Sequence, residues 1–288
     1  LTMTLTYRDL LQHQSLDKSF SYGQDQIILY ALGIGLGLDP VDERQLQFVL
    51  EDNLAVFPTF ASVAAWDIAF VLELGIEWPK LIHLSQGMEI HQALPLSAQL
   101  RADNRIVGAM DKPKQNATIL AAETTIRNAD GGAVLARLQA SYLAREFRVD
   151  GAPTGRRPAG QARPERAADA TVSIATSPQV ALIYRLLGGR AKIHSTPSVA
   201  RQQGFSGPIM HGLSTWGHAC RAVLQTAGDD DGQRLKHFSA AFAAPVYPGE
   251  ALTTYLWRDG AAVQFETWVL ARDKLVLADG RAQLKGLE

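Results

Sequence analysis

The chain has 288 residues, and at about 150 residues per domain this length indicates two domains or one large one. Hydrophobic residues make up 47% and charged residues 20% of the sequence, a balance that is typical of globular proteins and excludes a disordered chain. The 28 basic and 29 acidic side chains give a formal net charge of -1, which argues against nucleic acid as a partner.

The first half of the chain starts with an apolar stretch at 27–38 and ends in strand-like segments. The apolar stretch is interrupted by glycines and is shorter than the roughly 18 apolar residues of a membrane span, so we expect no membrane segment. A polar, glycine-rich turn at 128–132 separates the last two strand-like segments. The predicted strands are 97–102, 106–110, 117–127 and 134–144.

A change of composition divides the chain once. Residues 151–168 are dominated by Pro, Gly, Ala and Arg, and no apolar periodicity continues through them, which predicts a linker. The segments on either side, 1–150 and 169–288, each have the size of a domain.

The second half begins with helix signals and ends in strands. Ser177-Pro178 and Thr196-Pro197 each place a capping hydroxyl before a proline, which favours helix starts there. A longer helix is predicted over 212–226. The strands predicted after it are 238–243, 252–257, 262–270 and 275–284.

The order of elements in the second half is similar to that in the first. Asp259-Gly260 is a dipeptide typical of a hairpin turn between two strands, as the 128–132 turn is in the first half. Helical segments followed by an antiparallel strand series in both halves favour an internal duplication. Two unrelated α+β domains are the alternative that the pattern leaves open.

Two histidines in the second half lie where chemistry is feasible. His194 lies in a loop two residues before the Thr196 cap, and His211-Gly212 lies at the start of the predicted 212–226 helix. A loop imidazole can transfer protons, and the free N–H groups of a helix N-terminus can stabilise an oxyanion. The spacing alone favours the plainer alternative, in which His194 is a hydrogen-bonded loop histidine and His211 a helix cap.

A resemblance changes this balance. The runs YRLLGG at 184–189 and GFSGPIMHGL at 204–213 resemble the hydratase 2 motif of the MaoC-like, R-specific enoyl-CoA hydratases. The runs YALGIG at 30–35, FPTF at 57–60 and PVYPGE at 245–250 resemble further parts of the double hot-dog members of that family. The resemblance therefore covers essentially the whole chain.

The resemblance implies an α+β fold of the double hot-dog type. Two antiparallel sheets would each wrap around a long helix, and the two halves would pack as a pseudo-dimer within one chain. The N-terminal hot-dog domain, 1–150, would accommodate the substrate. The C-terminal domain, 169–288, would carry the hydratase 2-like motif, and 151–168 would join the two.

The implied activity is a lyase reaction of fatty-acid metabolism. Water would add reversibly to the trans-2 double bond of an enoyl-CoA or acyl-carrier thioester, giving an (R)-3-hydroxyacyl product without a cofactor or a metal. Carried over by position, the acid/base is His194 and the oxyanion donor is the N–H of Gly212. The expected substrate-binding residues are Tyr184, Gly189, Arg190, His211 and Ser214.

The motif departs from the family pattern at its polar positions. Gly189 occupies the position of the family's catalytic aspartate, and Ala191 and Thr196 occupy two further polar positions. A missing general acid or base commonly costs about 100- to 10,000-fold in rate. We favour a hydratase in which His194 acts as a single base. The alternatives are a non-catalytic acyl-thioester-binding or scaffold protein and a different lyase or isomerase step on a specialised thioester.

The expected partner and compartment follow from the remaining features. Cys220 is the only cysteine and can form no internal disulfide, which favours a reducing compartment such as the cytoplasm. The first residues lack a basic region followed by an apolar core, so no secretory signal is expected. We expect an acyl thioester as ligand, with neither nucleic acid nor membrane as a partner. Hot-dog units often pair, which favours a homodimer.

Overall fold

The computed structural model describes residues 5–155, 160 and 162–286. Ten strands in these residues form one antiparallel sheet. They are β1 Gln14–Tyr22, β2 Leu81–Ile90, β3 Ala98–Lys112, β4 Ala117–Asn128, β5 Val134–Arg145, β6 Ala170–Ala175, β7 Leu235–Phe242, β8 Ala251–Asp259, β9 Ala262–Val269 and β10 Lys274–Leu284.

The helices are mostly short. In the described ranges they are α1 Tyr7–Leu11, α2 Gln24–Gly33, α3 Glu43–Leu46, α4 Ala61–Ala64, α5 Ala69–Leu72, α6 Val180–Tyr184, α7 Pro197–Gln202 and α8 Gly212–Ala227. None of them is long and apolar enough to cross a membrane.

The two halves of the sheet repeat one strand order. From edge to centre the first half runs β1-β3-β4-β5-β2, and the second half runs β6-β8-β9-β10-β7. The central strands β2 and β7 pair with each other from Ser85 opposite Ala241 to Glu89 opposite His237. The matching order supports the duplication predicted from the sequence. The two expected sheets are joined into one sheet through β2 and β7. Without this pairing, each of these strands would leave unpaired backbone groups at the edge of its own sheet.

Helix α8 fills the second half. Twelve of its sixteen residues are buried, with Trp216 and Cys220 both fully covered. The helix is buried on most of its circumference because other elements surround it, and it contacts β6, β7, β8 and β10. The helix predicted at 212–226 is therefore confirmed, and Cys220 is a core residue as expected.

The first half has no helix of comparable length among its described residues. Helix α2 ends after ten residues, and the chain then passes through the left-handed conformations of Gly35 (φ 77°) and Gly37 (φ 75°). Such a conformation ends a helix and is accessible to glycine without strain. The expectation of a long central helix in each half is therefore wrong for the first half, where short segments cover the sheet.

Strand boundaries differ from the predictions mainly at polar residues. The predicted strands 97–102 and 106–110 are one strand, β3, because the polar residues between them have partners on β4. Arg127 donates to Asp103 at 2.7 Å and Thr124 donates to Asn104 at 2.7 Å. Strands β1, β2 and β6 were not predicted. The side chains of β1 and β2 mix polar and apolar types without clear alternation, whereas β6 alternates but is only six residues long.

Part of the predicted linker, residues 156–159 and 161, lies outside the described residues. The chain on its N-terminal side stays attached to the first half, where Thr154 bridges to Asp111. On its C-terminal side, Arg166 pairs with Asp169 just before β6. The division into 1–150, a linker at 151–168, and 169–288 remains a proposal.

Candidate active site

His194 lies in a loop that is held by a backbone carbonyl. It ends the 3-10 turn Lys192–His194, and its Nδ1–H donates to the carbonyl oxygen of Ile209 at 2.9 Å. The other ring nitrogen, Nε2, therefore carries a lone pair. Burial lowers the pKa of His194 to about 4, and the hydrogen bond to Ile209 opposes this only in part. The ring is thus neutral at neutral pH and can accept a proton.

His211 stacks on His194 and has the same charge state. The two ring centroids are 3.7 Å apart, with 24° between the planes. His211 Nε2–H donates to the carbonyl oxygen of Gly189 at 2.7 Å, so its Nδ1 also carries a lone pair. Burial, followed by the neighbouring charge of His194, lowers the pKa of His211 to about 3. Its Nδ1 is buried and has no hydrogen-bond partner among the described residues.

The glycine at the family's aspartate position makes room for this ring. A Cβ atom at Gly189 would lie 3.1 Å from Cδ2 and 3.2 Å from Nε2 of His211, which is tighter than an ordinary contact. The preceding Gly188 has a φ of 115°, a left-handed conformation that favours glycine. The imidazole of His211 therefore packs against the backbone at the position where the family has a carboxylate.

The N-terminus of α8 lies in the same loop cluster. His211 is its N-cap residue in an extended conformation, and Gly212 is its first helical residue. The N–H of a first helical residue has no partner within the helix and lies at the positive end of the helix dipole. A Cβ at Gly212 would lie 3.1 Å from Cε1 of Phe242, so this aromatic ring covers the helix start. The arrangement is suited to stabilising a negatively charged oxygen.

The remaining predicted residues lie around this centre in different settings. Tyr184 is buried, and its ring centroid is 5.0 Å from that of His211, so it supports the imidazole from the core side. Arg190 is exposed beside Gly189. Ser214 is fully buried, and its hydroxyl donates to the carbonyl oxygen of Gly33 at 2.8 Å. Ser214 therefore ties α8 to α2, and we do not retain it as a substrate-binding residue.

Residues of the first half that sequence reasoning missed also reach this region. The His83 ring stacks on Tyr142 at 4.7 Å and contacts Phe242 at 4.9 Å, so these rings connect Gly212 with the first half. Burial lowers the pKa of His83 to about 4. Trp66 approaches from another side, because its Cδ1 lies 3.8 Å from the position of a Cβ at Gly188. No spacing pattern marks these residues, since only the fold brings them together.

A cavity and a groove lie on opposite faces of the first half-sheet. The cavity, about 40 Å³ in volume, is lined by Trp66 and Asn104 among others and lies on the side of the helices. The groove, about 410 Å³ in volume, is lined by charged residues that include Asp103 and Arg105. Neighbouring residues of a strand point to opposite faces, so the groove faces away from His194. In the part of the chain that the structure describes, no cluster of three or more acidic, His or Cys side chains is placed to hold a metal ion.

Comparison with protein families identifies both halves. Residues 20–146 match the MFE-2 hydratase 2 N-terminal domain, and residues 160–279 match the MaoC like domain. The second match contains His194, His211 and the start of α8.

Two curated proteins and one solved structure are similar over nearly the full length. The enoyl-CoA hydratase ChsH3 of Mycobacterium tuberculosis is 36% identical, over 91% of this chain and 92% of that protein. The peroxisomal enoyl-CoA hydratase 2 of Arabidopsis thaliana is 33% identical, over 96% of this chain and 95% of that protein. The crystal structure of a MaoC-like dehydratase from Phytophthora capsici superposes with a TM-score of 0.83 at 25% identity, covering 98% of each chain. The expected α+β fold of the double hot-dog type is confirmed.

Proposed function

Because the chain belongs to the MaoC-like dehydratase family, we propose that it adds water reversibly to the trans-2 double bond of an enoyl-CoA. The names of the two curated relatives support an acyl-CoA thioester as substrate. The observation that carries the proposal is the neutral His194, whose Nε2 is free to accept a proton next to the N-terminus of α8. A base and an oxyanion donor are the two groups that this reaction requires.

The proton and electron movements fit these two groups. In hydration, Nε2 of His194 accepts a proton from water while the water oxygen bonds to C3 of the substrate. The electrons of the double bond shift to the thioester carbonyl oxygen, where the N–H of Gly212 stabilises the negative charge. The imidazolium of His194 then gives its proton to C2, and the carbonyl re-forms. Dehydration follows the same steps in reverse, and His194 is neutral again at the end of either direction.

His211 is proposed to take over one duty of the missing aspartate. A water that attacks C3 is well oriented when both of its O–H groups donate to fixed acceptors, because these two hydrogen bonds also fix the direction of its lone pair. In this proposal His194 Nε2 is one acceptor, and the second is the buried, unpartnered Nδ1 of His211, whose ring centroid is 3.7 Å from that of His194. Since the pKa values of both rings are lowered to about 4 and about 3, both are acceptors at neutral pH.

The division of labour between the domains is part of the proposal. The C-terminal domain, 169–288, supplies His194, His211 and Gly212, and the N-terminal domain, 1–150, accommodates the acyl group next to Trp66. The exposed guanidinium of Arg190 is available to the polar part of the thioester. A homodimer and a cytoplasmic location remain proposals, which light scattering of the purified protein and imaging of a tagged chain would test.

Turnover of a simple substrate tests the proposed activity. Purified protein mixed with a trans-2-enoyl-CoA should remove the ultraviolet absorbance of the double bond conjugated to the thioester. His194→Ala should abolish this change, whereas His237→Gln, on β7 outside the site, should leave it unchanged. Lack of turnover with short, long and branched chains would sink the hydratase proposal. Calorimetric binding without turnover would then favour the non-catalytic acyl-thioester-binding alternative.

A second pair of variants tests the role of His211. His211→Gln keeps an N–H donor for the carbonyl of Gly189 but removes the Nδ1 acceptor, so kcat should fall about 100-fold with a smaller change in KM. Adding Gly189→Asp to His211→Gln should recover much of the loss, because a carboxylate then returns to the family position. If His211→Gln turns over normally, His211 holds no water and only packs against Gly189.

A further inference from the structure

The cavity beside Trp66 has a polar lining next to the proposed reaction site. It lies between α4, α5 and the first half-sheet, and its polar and aromatic lining includes Ser62, Trp66, Gln86, Asn104, Thr124 and Tyr142. Trp66 is also the residue whose Cδ1 lies 3.8 Å from the Cβ position of Gly188. The Trp66 ring therefore lies between the cavity and the Gly188-Gly189 loop of the proposed site.

Two hydrogen-bond donors in the lining have no acceptor in the part of the chain that the structure describes. Nε1 of Trp66 and Nδ2 of Asn104 are both buried, and neither has a hydrogen-bond partner among the described residues. Thr124 donates its hydroxyl to Oδ1 of Asn104 at 2.7 Å, and the amide nitrogen of Asn104 lies on the other side of this contact without a partner among the described residues. Most buried donors in proteins are paired, because an unpaired buried donor is costly. Two unpaired donors that line one cavity indicate an acceptor that arrives from outside the chain.

The charge and size of the cavity restrict that acceptor. Trp66 Nε1 can only donate, so the complementary atom is an oxygen with a lone pair, as in a carbonyl, ether or hydroxyl group. Asp67 also lines the cavity, but its carboxylate already pairs with Lys18 at 2.7 Å. A ligand therefore needs no positive charge to balance this carboxylate. The volume of about 40 Å³ exceeds the roughly 10–15 Å³ that a cavity needs, by this measure, to hold one water. The cavity therefore fits one small, neutral, oxygen-bearing group.

We propose that this enzyme prefers acyl thioesters that carry a neutral oxygen substituent on the acyl group, beyond the reacting double bond. Trp66 and Asn104 would donate to that oxygen, and the apolar walls formed by Ala65, Phe70 and Leu138 would contact the carbons that bear it. This specificity rests on the proposed hydratase function, since that function orients the acyl group toward the first half.

The test compares substrates that differ only in the oxygen. A series of trans-2-enoyl-CoA thioesters with a ketone at successive acyl positions is compared with the all-hydrocarbon thioester of the same length. At the matching position, kcat/KM of the oxo substrate should exceed that of the hydrocarbon about tenfold. Trp66→Phe, which removes the N–H and keeps an aromatic wall, should remove most of this preference. The preference is the ratio of kcat/KM for the oxo substrate to kcat/KM for the hydrocarbon within each variant, so a change common to both substrates does not alter it.

Controls separate the oxygen preference from folding and from catalysis. Trp78→Phe, a partly exposed tryptophan outside the cavity lining, should keep the full preference. Asn104→Leu should lose the preference as Trp66→Phe does, and if it fails to fold, the result with Trp66→Phe decides. A parent enzyme without preference at any ketone position would overturn the proposal. A Trp66→Phe variant that lowers kcat/KM by the same factor for the oxo and the hydrocarbon substrate would also overturn it.

Calorimetry keeps the specificity test independent of turnover. The dissociation constants of the saturated oxo-acyl and hydrocarbon acyl thioesters, which have no double bond to hydrate, are measured with the parent and with Trp66→Phe. Tighter binding of the oxo thioester by the parent alone would support oxygen recognition even if hydration failed. Equal dissociation constants together with normal hydration would overturn the specificity proposal and leave the hydratase function in place.

Discussion

The two halves of the chain share one arrangement of five strands but cover the helix side of their sheets differently. In the second half, α8 is a single buried helix that leaves a dense core. In the first half, α2 ends after ten residues, and short segments leave a cavity with unpaired polar groups. A long helix supplies a rigid N-terminus for chemistry, whereas several short segments supply variable lining for a ligand. The comparison indicates how a duplicated fold can separate reaction from recognition.

The largest effect that we predict from this comparison is loss of stability in acid. Four histidines, two of them buried and two partly buried, have pKa values lowered by burial, to about 4 for His83 and His194 and to about 3 for His211 and His218, and three of the four lie in the second half. An unfolded histidine titrates near 6.5, so the unfolded chain binds more protons as the pH falls below that value. The free energy of unfolding should therefore be greatest above pH 6.5 and fall by several kcal/mol toward pH 4.

Urea titrations at successive pH values would measure this slope. His218→Leu removes one of the four groups and should give a shallower fall over the same range. An unfolding free energy that stays constant between pH 6.5 and pH 4 would mean that these rings can be protonated in the folded state at little cost. The second half would then be less tightly closed around its histidines than the structure indicates.

The next effect concerns the N-terminus of α8, which is longer than any helix among the described residues of the first half. Gly212→Pro removes the proposed oxyanion N–H, yet proline is well tolerated at a first helical position after an extended residue such as His211. Gly212→Ala is the matched control, since it adds the same crowding against Phe242 and keeps the N–H. The kcat of the proline variant should be about 100- to 1,000-fold below that of the alanine variant. Similar rates in the two variants would remove Gly212 from the mechanism.

Much of the fold could be predicted from sequence because it depends on local patterns. The apolar residues of α8 repeat at helical spacing, the glycine turns separate β4 from β5 and β8 from β9, and Thr196-Pro197 starts α7 as predicted. Strand β2 has no such pattern, because it is paired on both sides and its mixed side chains gain their partners only in the sheet.

The candidate site was predictable only where a motif carries it. The motif predicts His194 and the start of α8 as parts of the site. At position 189 the sequence indicates only that the family's aspartate is replaced by glycine. The structure shows that the ring of His211 packs against that glycine, a contact between loops 22 positions apart. His83 and Trp66 come from the other half, where no sequence spacing relates them to His194. Long-range packing decides such contacts, and a local pattern contains no information about it.

A smaller effect tests how the halves are joined. A Cβ at Gly217 on α8 would lie 2.5 Å from Cγ2 of Ile34 and 3.0 Å from the hydroxyl of Tyr30, both in the first half. Gly217→Ala should therefore lower the free energy of unfolding by about 1–3 kcal/mol through overpacking, despite the helix propensity of alanine. Gly108→Ala on β3, whose Cβ would make an ordinary contact 3.8 Å from Ala121, should change it by less than about 0.5 kcal/mol. If the two alanine variants change the free energy of unfolding equally, the two halves can move apart slightly to admit the added methyl group at Gly217 without cost.

The smallest effect concerns the helix caps, which also differ between the halves. Thr6 Oγ1 accepts from the backbone N–H of Asp9 and so caps α1, whereas α8 has no side-chain cap hydrogen bond. A capped helix gains stability, but its N–H groups are then occupied, so an uncapped α8 is consistent with a reserved oxyanion site. Thr6→Ala should lower the free energy of unfolding by about 1 kcal/mol, Thr6→Ser should restore it, and kcat/KM should not change in either variant. A change in kcat/KM would show that the N-terminal helices contribute to the reaction, and that the halves divide their roles less completely than their helices do.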